Sequence, residues 1–400
     1  MVVISTNSHH KGENDISSSG YNKKITATNK LDYSYDVIFT DDDMLSPRNP
    51  ILGDALKDRK CFVVMSKRVS ELYGERVRHY LSHWLEDDKF RIMTIAVTER
   101  TKNIETVMQI CSEAKRFKLD RRSLFVAIGG GVLTDCVGLA SSIYMRKLSY
   151  IRIPTTLVGQ IDAGIGLKTG VDFEESKNFI GTFHPPIFVF NDARFLRTLG
   201  PAEIRDGLAE IIKMALVSDA ELFSTVEKNK ERIIDCYLTG SDEALIQRVN
   251  ILAANRMLEQ LQENPYEMRL ERLVDFGHTF SPFIEMHTQH RISHGQAVAM
   301  DMAISTEISR LLRRTDDAYH DRILSLIADL GLELYDKEAF DIDGMWKSLE
   351  SVILRRGGRL NLVIPARPGK AEFLHEAHEL ELKILREACE NLSRLQNGRW

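Results

Sequence analysis

The sequence predicts an α/β N-terminal nucleotide-binding domain followed by a mainly α-helical C-terminal metal-binding domain. Three observations predict it. Between residues 33 and 128, apolar strand-like runs alternate with helix-length periodic segments, the pattern of a parallel sheet. The last of those runs passes straight into Gly129-Gly130-Gly131. Beyond Pro201 the text is helical almost throughout, and it carries residue types able to hold a metal.

Residues 5–30 are rich in Ser, Asn, Lys and Gly and poor in large apolar side chains. Such a segment buries too little surface to offset its ordering entropy, so residues 1–30 are expected to form a flexible arm. Tyr33 to Phe39 alternates as a strand does, and Cys61 to Met65 is a short apolar strand. A helix is expected from Val69 to Leu85, a strand from Phe90 to Val97 and a helix from Ile104 to Phe117. Leu124 to Ile128 is the next strand, and a helix is expected from Asp135 to Ser142. The α/β domain thus spans residues 31–200. Pro201-Ala202-Glu203 opens the helical domain, residues 201–400, in which helices continue to about Gly331. Strand-like text returns at Leu360 to Pro365, and Glu372 to Leu395 reads as a terminal helix. The active site is expected between the two domains.

The 400 residues are too many for one small core. With 43% hydrophobic and 28% charged residues, the composition is that of a soluble globular protein. A formal charge of −5 gives no support for a nucleic acid or an anionic membrane surface as partner. Five scattered cysteines without a CxxC pair fit a reducing compartment, and neither a membrane span nor a secretion signal is legible. A cytoplasmic location is expected.

Glu210, His278 and His294 supply the carboxylate and two imidazoles of a catalytic zinc site, which leaves a coordination position open. No regular spacing joins them, so a second signal is needed. Gly129-Gly130-Gly131 at a strand end lets a backbone approach a pyrophosphate at a helix N-terminus, though many such turns do nothing more than turn. Asp162 and Lys168 stand out in a Gly- and Ala-rich stretch, and Lys177-Asn178 follows; these residues suit a phosphate, or equally a solvated loop. Glu210 and Lys213, three apart, share a helix face, for which a surface ion pair is the simplest reading. His287 and His290 read as rim histidines.

The order Gly129-Gly130-Gly131…Asp135, Tyr144-Met145-Arg146, Pro154-Thr155-Thr156, Asp162…Lys168, Lys177-Asn178, Glu210…Lys213, Gly277-His278-Thr279 and His294-Gly295 resembles the sugar phosphate cyclases, of which dehydroquinate synthase is the best-known member. The resemblance spans about residues 35 to 365. It implies a homodimer using NAD and zinc (or cobalt), with a sugar phosphate as substrate. By position it implies Glu210, His278 and His294 as metal ligands. Glu99, Lys102, Gly130, Gly131, Val132, Asp135, Thr155, Thr156 and Lys177 fall on the cofactor side. Asp162, Lys168, Lys213 and Asp275 fall on catalytic positions, and Asn178 joins Lys168 and Lys213 as a substrate residue. Arg146 matches an arginine that reaches the substrate phosphate across the dimer.

The departures from dehydroquinate synthase bear on substrate. An arginine and an asparagine of its metal motif stand here as Glu271 and Asp275, and a histidine as Pro282. A lysine that contacts substrate becomes Met257, and a late Lys-Lys pair becomes Arg355-Arg356. A substrate carboxylate would lose cationic partners and meet a like charge. A phosphorylated, carboxylate-free ketose is therefore expected, which within the family points to the cyclases of sedoheptulose 7-phosphate. The segments 162–170 and 274–282 look most like those of 2-epi-5-epi-valiolone synthases rather than 2-epi-valiolone or demethyl-4-deoxygadusol synthases. Ser66-Lys67-Arg68 replaces an acidic residue expected near the adenosine ribose; NAD is still expected, because Glu99 remains as a ribose partner.

Overall fold

The computed structural model describes residues 33–174 and 176–398; the expected N-terminal arm lies outside them. The chain runs through β1 (Asp36–Phe39), α1 (Pro50–Leu56), β2 (Cys61–Ser66), α2 (Lys67–Trp84), β3 (Phe90–Ile95), α3 (Ile104–Arg116), β4 (Leu124–Gly129), α4 (Gly131–Ile143) and β5 (Ser149–Pro154). A hairpin of β6 (Lys168–Phe173) and β7 (Ser176–Phe183) follows, and then β8 (Phe188–Asn191). Six of these strands form one parallel sheet in the order β1-β8-β5-β4-β2-β3, while β6 and β7 pair antiparallel on their own.

Alternation along the strands divides the core into two layers. Cys61, Val63 and Met65 of β2, with Leu124, Val126 and Ile128 of β4, face one cluster. Phe62, Val64, Phe125 and Ala127 face the other. A parallel sheet covered on both faces needs apolar residues at every position, which is why these strands were legible as unbroken apolar runs. The strand order reverses direction between β2 and β4, so a ligand crevice is expected beyond their carboxyl ends.

The rest of the chain is α5 (Pro201–Ser218), α6 (Ala220–Asn229), α7 (Ile233–Thr239), α8 (Glu243–Glu263), α9 (Ser281–His287), α10 (His294–Leu311), α11 (Asp317–Asp329) and α12 (Ile342–Arg355). A hairpin of β9 (Arg359–Arg367) and β10 (Lys370–Glu376) and the terminal α13 (Leu382–Gly398) complete it. Helix α10 is buried from Ala297 to Ser309, the behaviour of a helix at the centre of a bundle. Leu157, Ile161 and Ile165, which follow β5, pack in the same apolar cluster as Leu208, Ile212 and Val298, so the core is continuous from the sheet region into the helices.

Four expectations are corrected. Helix α4 begins at Gly131, four residues before the expected Asp135, on the N-cap Gly130. The stretch expected to be loop up to Gly170 and beyond contains the β6–β7 hairpin. Strand β10 occupies Lys370–Glu376, where the terminal helix was expected to start, and that helix begins only at Leu382. Helix α12 lies beyond Gly331, where the expected run of helices ends.

Candidate active site

The carboxyl ends of β3, β4 and β5 lie on the sheet edge that holds the switch point between β2 and β4. They deliver Glu99, exposed in a short 3-10 turn after β3, the Gly130–Gly131–Val132 start of α4, and Thr155–Thr156 after β5. Gly130 is a close approach: a Cβ there would meet Thr156 Cγ2 at 3.0 Å, so the backbone is left bare where a ligand would lie. Lys102, 6% exposed, sends Nζ to Asp135 Oδ2 at 2.7 Å and to Asn178 Oδ1 at 2.6 Å. Burial opposes its charge, but Asp135, Glu99 and Asp172 outweigh that and raise its pKa. Ser66 ends β2 and caps α2, its Oγ accepting from the Val69 N–H at 3.4 Å.

Arg152 of β5 is fully buried, and it organises the loop that follows. Its guanidinium donates to the carbonyls of Gly164 (3.2 Å), Gly166 (2.6 Å) and Lys168 (2.8 Å). An arginine inside the apolar strand Tyr150-Ile151-Arg152-Ile153 is the sequence signal for this role. A π-helical turn over Gly159–Ala163 then presents Asp162 to α5. There Lys213, 1% exposed, sits 2.8 Å from Asp162 Oδ2 and 2.5 Å from Glu210 Oε2. Burial disfavours its charge, yet the two carboxylates reverse the balance and raise its pKa. Burial and the neighbouring Glu210 raise the Asp162 carboxyl despite Lys213. The pair whose spacing alone suggests a surface ion pair is therefore buried at the centre, where the resemblance implies it.

Three elements bring together one ligand atom each from Glu210 (α5), His278 (the loop before α9) and His294 (the first residue of α10), all within 4.8 Å of one another. Glu210 Oε1 lies 3.0 Å from His294 Nε2 and 3.7 Å from His278 Nε2. The outward nitrogens are engaged: His278 Nδ1 meets the Phe276 carbonyl at 3.1 Å, and His294 Nδ1 meets Glu285 Oε1 at 3.1 Å. Glu285 in turn holds Lys177 Nζ at 2.6 Å from its other oxygen. Buried Asp301 fixes the loop after His278, accepting from the Ser281 N–H at 2.9 Å; burial lifts its pKa to about 6. Glu210 Oε2 is fully buried, with Lys213 Nζ 2.5 Å away as its ion-pair partner. The donor set fits a divalent cation: two Nε2 atoms and one carboxylate, with both imidazoles oriented from behind. Burial pushes the Glu210 carboxyl up, but Lys213, His278 and His294 together hold it well below the usual range. It is ionised and ready to ligate.

A cavity of about 160 Å³ opens beside this cluster. Asp162, Lys168, Lys213, Met257, Asp275 and His278 line it, together with Glu267 and Arg272, which the sequence did not single out. Arg272 Nε lies 3.1 Å from Asp275 Oδ2, and Arg356 Nη2 reaches the same oxygen at 3.3 Å. Several expected residues stand elsewhere. Glu271 is an exposed side chain paired with Arg359 (3.8 Å) and His375 (3.5 Å), not a wall of the cavity. Pro282 is exposed in the first turn of α9 and does not line the cavity either. Lys177 is engaged with Glu285 rather than with the nucleotide crevice, and Asn178 joins Lys102 rather than Lys168. Arg146 is exposed at a tip where Met145, Arg146 and Lys147 all have positive φ (50°, 71° and 136°). The Arg355 side chain lies outside the described residues. His287 and His290 are exposed, as expected of rim residues.

A parallel sheet with a bare glycine turn at its switch point, joined to helices that gather a Glu–His–His cluster, defines the dehydroquinate synthase-like class. The 3-dehydroquinate synthase N-terminal model matches residues 92–206, and the 3-dehydroquinate synthase C-terminal model matches residues 207–350. The chain belongs to the 3-dehydroquinate synthase family. It is 40% identical over 370 residues to a 2-epi-5-epi-valiolone synthase of Streptomyces glaucescens, covering 92% of this chain and 94% of that protein. It is 34% identical over 354 residues to a demethyl-4-deoxygadusol synthase of Trichormus variabilis, covering 87% and 85%. Among solved structures, the 2-epi-5-epi-valiolone synthase ValA of Streptomyces hygroscopicus subsp. jinggangensis, with NAD⁺ and Zn²⁺ bound, matches at a TM-score of 0.84. That match has 37% identity and covers 93% of this chain and 99% of that one.

Proposed function

We propose that the chain is a sugar phosphate cyclase that converts sedoheptulose 7-phosphate to 2-epi-5-epi-valiolone and inorganic phosphate. The observation that carries this reading is the cavity wall. Met257, 3% exposed, and Asp275 stand beside the Asp162–Lys213–Glu210 cluster. The guanidinium groups nearby already face carboxylates, Arg272 meeting Glu267 and Asp275 and Arg356 meeting Asp275. A substrate carboxylate would meet an apolar side chain and an acid there, whereas sugar hydroxyls can donate to Asp275 and Asp162. The identity to a 2-epi-5-epi-valiolone synthase supports this product over demethyl-4-deoxygadusol.

Glu210, His278 and His294 would hold zinc, and the Gly130–Gly131 turn with Glu99, Lys102, Asp135, Thr155 and Thr156 would hold NAD. Bound zinc supplies Lewis acidity toward a substrate hydroxyl, and NAD supplies a reversible hydride acceptor. The protein's own groups do the rest. Lys213, kept charged between two carboxylates, donates hydrogen bonds to substrate oxygens and does not act as a base. Asp162 orients an adjacent hydroxyl, and Asp275 is placed to accept a proton. Lys168 at the cavity mouth takes the phosphate. Substrate and products balance without net oxidation, because the sugar phosphate loses only the elements of phosphoric acid. In a homodimer, the exposed Arg146 tip would reach the partner's substrate phosphate.

The test offers the purified enzyme, with NAD⁺ and Zn²⁺, sedoheptulose 7-phosphate or the carboxylated substrate of dehydroquinate synthase. Phosphate release from the first and none from the second is expected. The reverse preference would overturn the assignment.

A further inference from the structure

Lys168, the residue at the cavity mouth, does not wait uncommitted for an anion. Its ammonium group is ion-paired with Glu267 Oε1, and the same oxygen contacts Arg272 Nη1. Glu267 comes from the loop between α8 and the turn at Leu273–Asp275. Its backbone has φ of +54°, a left-handed conformation that a glutamate rarely adopts. The loop is tied from one residue: the Glu267 N–H donates to the Asn264 carbonyl (3.0 Å), while the Asn264 side chain bonds both the Arg269 N–H (3.1 Å) and the Arg269 carbonyl (2.7 Å). Lys168, Glu267, Arg272, Asp275 and Arg356 thus form a ladder of alternating charge along one wall.

We propose that Glu267 is a built-in counter-ion that the substrate phosphate displaces from Lys168, and that it sets how tightly this site holds phosphate. The proposal rests on the reading of Lys168 as the phosphate residue. A phosphate group arriving at Lys168 confronts the Glu267 carboxylate at contact range, and the two anions repel. Glu267 has a second partner in place, because Arg272 already touches the same oxygen, so the carboxylate can leave Lys168 without losing its counter-charge. Once phosphate is free of the sugar, return of Glu267 to Lys168 favours its departure. Glu267 is a positioning residue here; it competes for Lys168 and performs no bond chemistry.

The test measures binding of inorganic phosphate to the zinc- and NAD-loaded enzyme by calorimetry, in the wild type, Glu267→Gln, Glu267→Asp and Lys168→Met. Glu267→Gln removes the charge with little change in shape and should bind phosphate about tenfold more tightly, the size expected for one charge removed near a partly solvated ion. Glu267→Asp keeps the charge and should stay near the wild type. In steady state with sedoheptulose 7-phosphate, Glu267→Gln should lower KM, and kcat should fall with it because phosphate leaves slowly. Affinity within twofold of the wild type in Glu267→Gln, with Lys168→Met losing phosphate binding, would overturn the counter-ion role. Phosphate binding indifferent to Lys168→Met would overturn it as well, by placing the phosphate elsewhere. Product formation is scored separately, so the proposed reaction stands or falls on its own readout.

Discussion

Replacing Lys213 by Met removes one positive charge from between two acids without changing much volume. The ammonium group is 1% exposed and lies 2.8 Å from Asp162 and 2.5 Å from Glu210. Breaking a buried ion pair by deleting one partner costs about 3–5 kcal/mol, because the remaining charge is left uncompensated. The lower end applies, since His294 still faces Glu210 at 3.0 Å and Asp162 can take up a proton. A loss of about 3 kcal/mol, spread over the unfolding entropy of 400 residues, lowers Tm by about 4 °C. Zinc should reverse much of this, because a divalent cation beside Glu210 replaces the missing charge, and saturation at a hundredfold excess over Kd adds about 2.7 kcal/mol. Thermal scans of wild type and variant, each with chelator and with zinc, read all four states. A metal-free Lys213→Met protein that melts within a degree of the wild type would refute the central role given to this ion pair.

Glu285→Gln should weaken zinc binding about 10- to 100-fold in a chelator competition, because His294 loses the carboxylate that orients it, while folding is retained. Gly295→Ala should be destabilised by about 2 kcal/mol in urea and should lose zinc, since its Cβ would lie 2.2 Å from Asp206 Cα and push α10, with His294, away from α5, with Glu210. Glu307, buried against His320 (2.6 Å) and Asn391 (2.7 Å), gives a pH signature. Burial pushes its carboxyl up, but His320, Arg310 and Asn391 bring it down to about 2. With the folded pKa below the unfolded one, its contribution of about 3 kcal/mol is complete above pH ~4.5 and disappears as pH falls toward 2. Glu307→Gln should flatten acid unfolding in that window.

Strands β2 and β4 were legible because burial on both faces leaves no polar position in Cys61–Met65 or Leu124–Ile128, whereas β5, interrupted by Arg152, and the four-residue β8 gave no comparable signal. The β6–β7 hairpin was not legible either, since Gly170 and Gly181 weaken the strand signal and Phe173, Phe179 and Phe183 are exposed. The start of α4 is hidden because two glycines at a helix N-terminus look like loop. The Glu210–His278–His294 set was legible as donor types, but it gained a second signal only through resemblance, as its residues come from α5, a loop and α10, and no spacing rule joins them. Position in a motif did not give side-chain direction. Glu271 occupies the place expected to face the substrate, but its carboxylate turns outward to Arg359 and His375. Glu267, Arg272 and Glu285 were unreadable for the complementary reason: each is an ordinary charged residue until packing sets it beside Lys168, Asp275 or His294.

The site supports cyclisation with NAD recycled rather than consumed. Purified enzyme with NAD⁺, Zn²⁺ and sedoheptulose 7-phosphate, followed at once by NMR and by NADH absorbance, tests it most directly. Conversion to 2-epi-5-epi-valiolone with one phosphate released per turnover and no accumulating NADH is the predicted result. NADH rising in step with consumed sugar, or a carbon skeleton that stays acyclic, would contradict it.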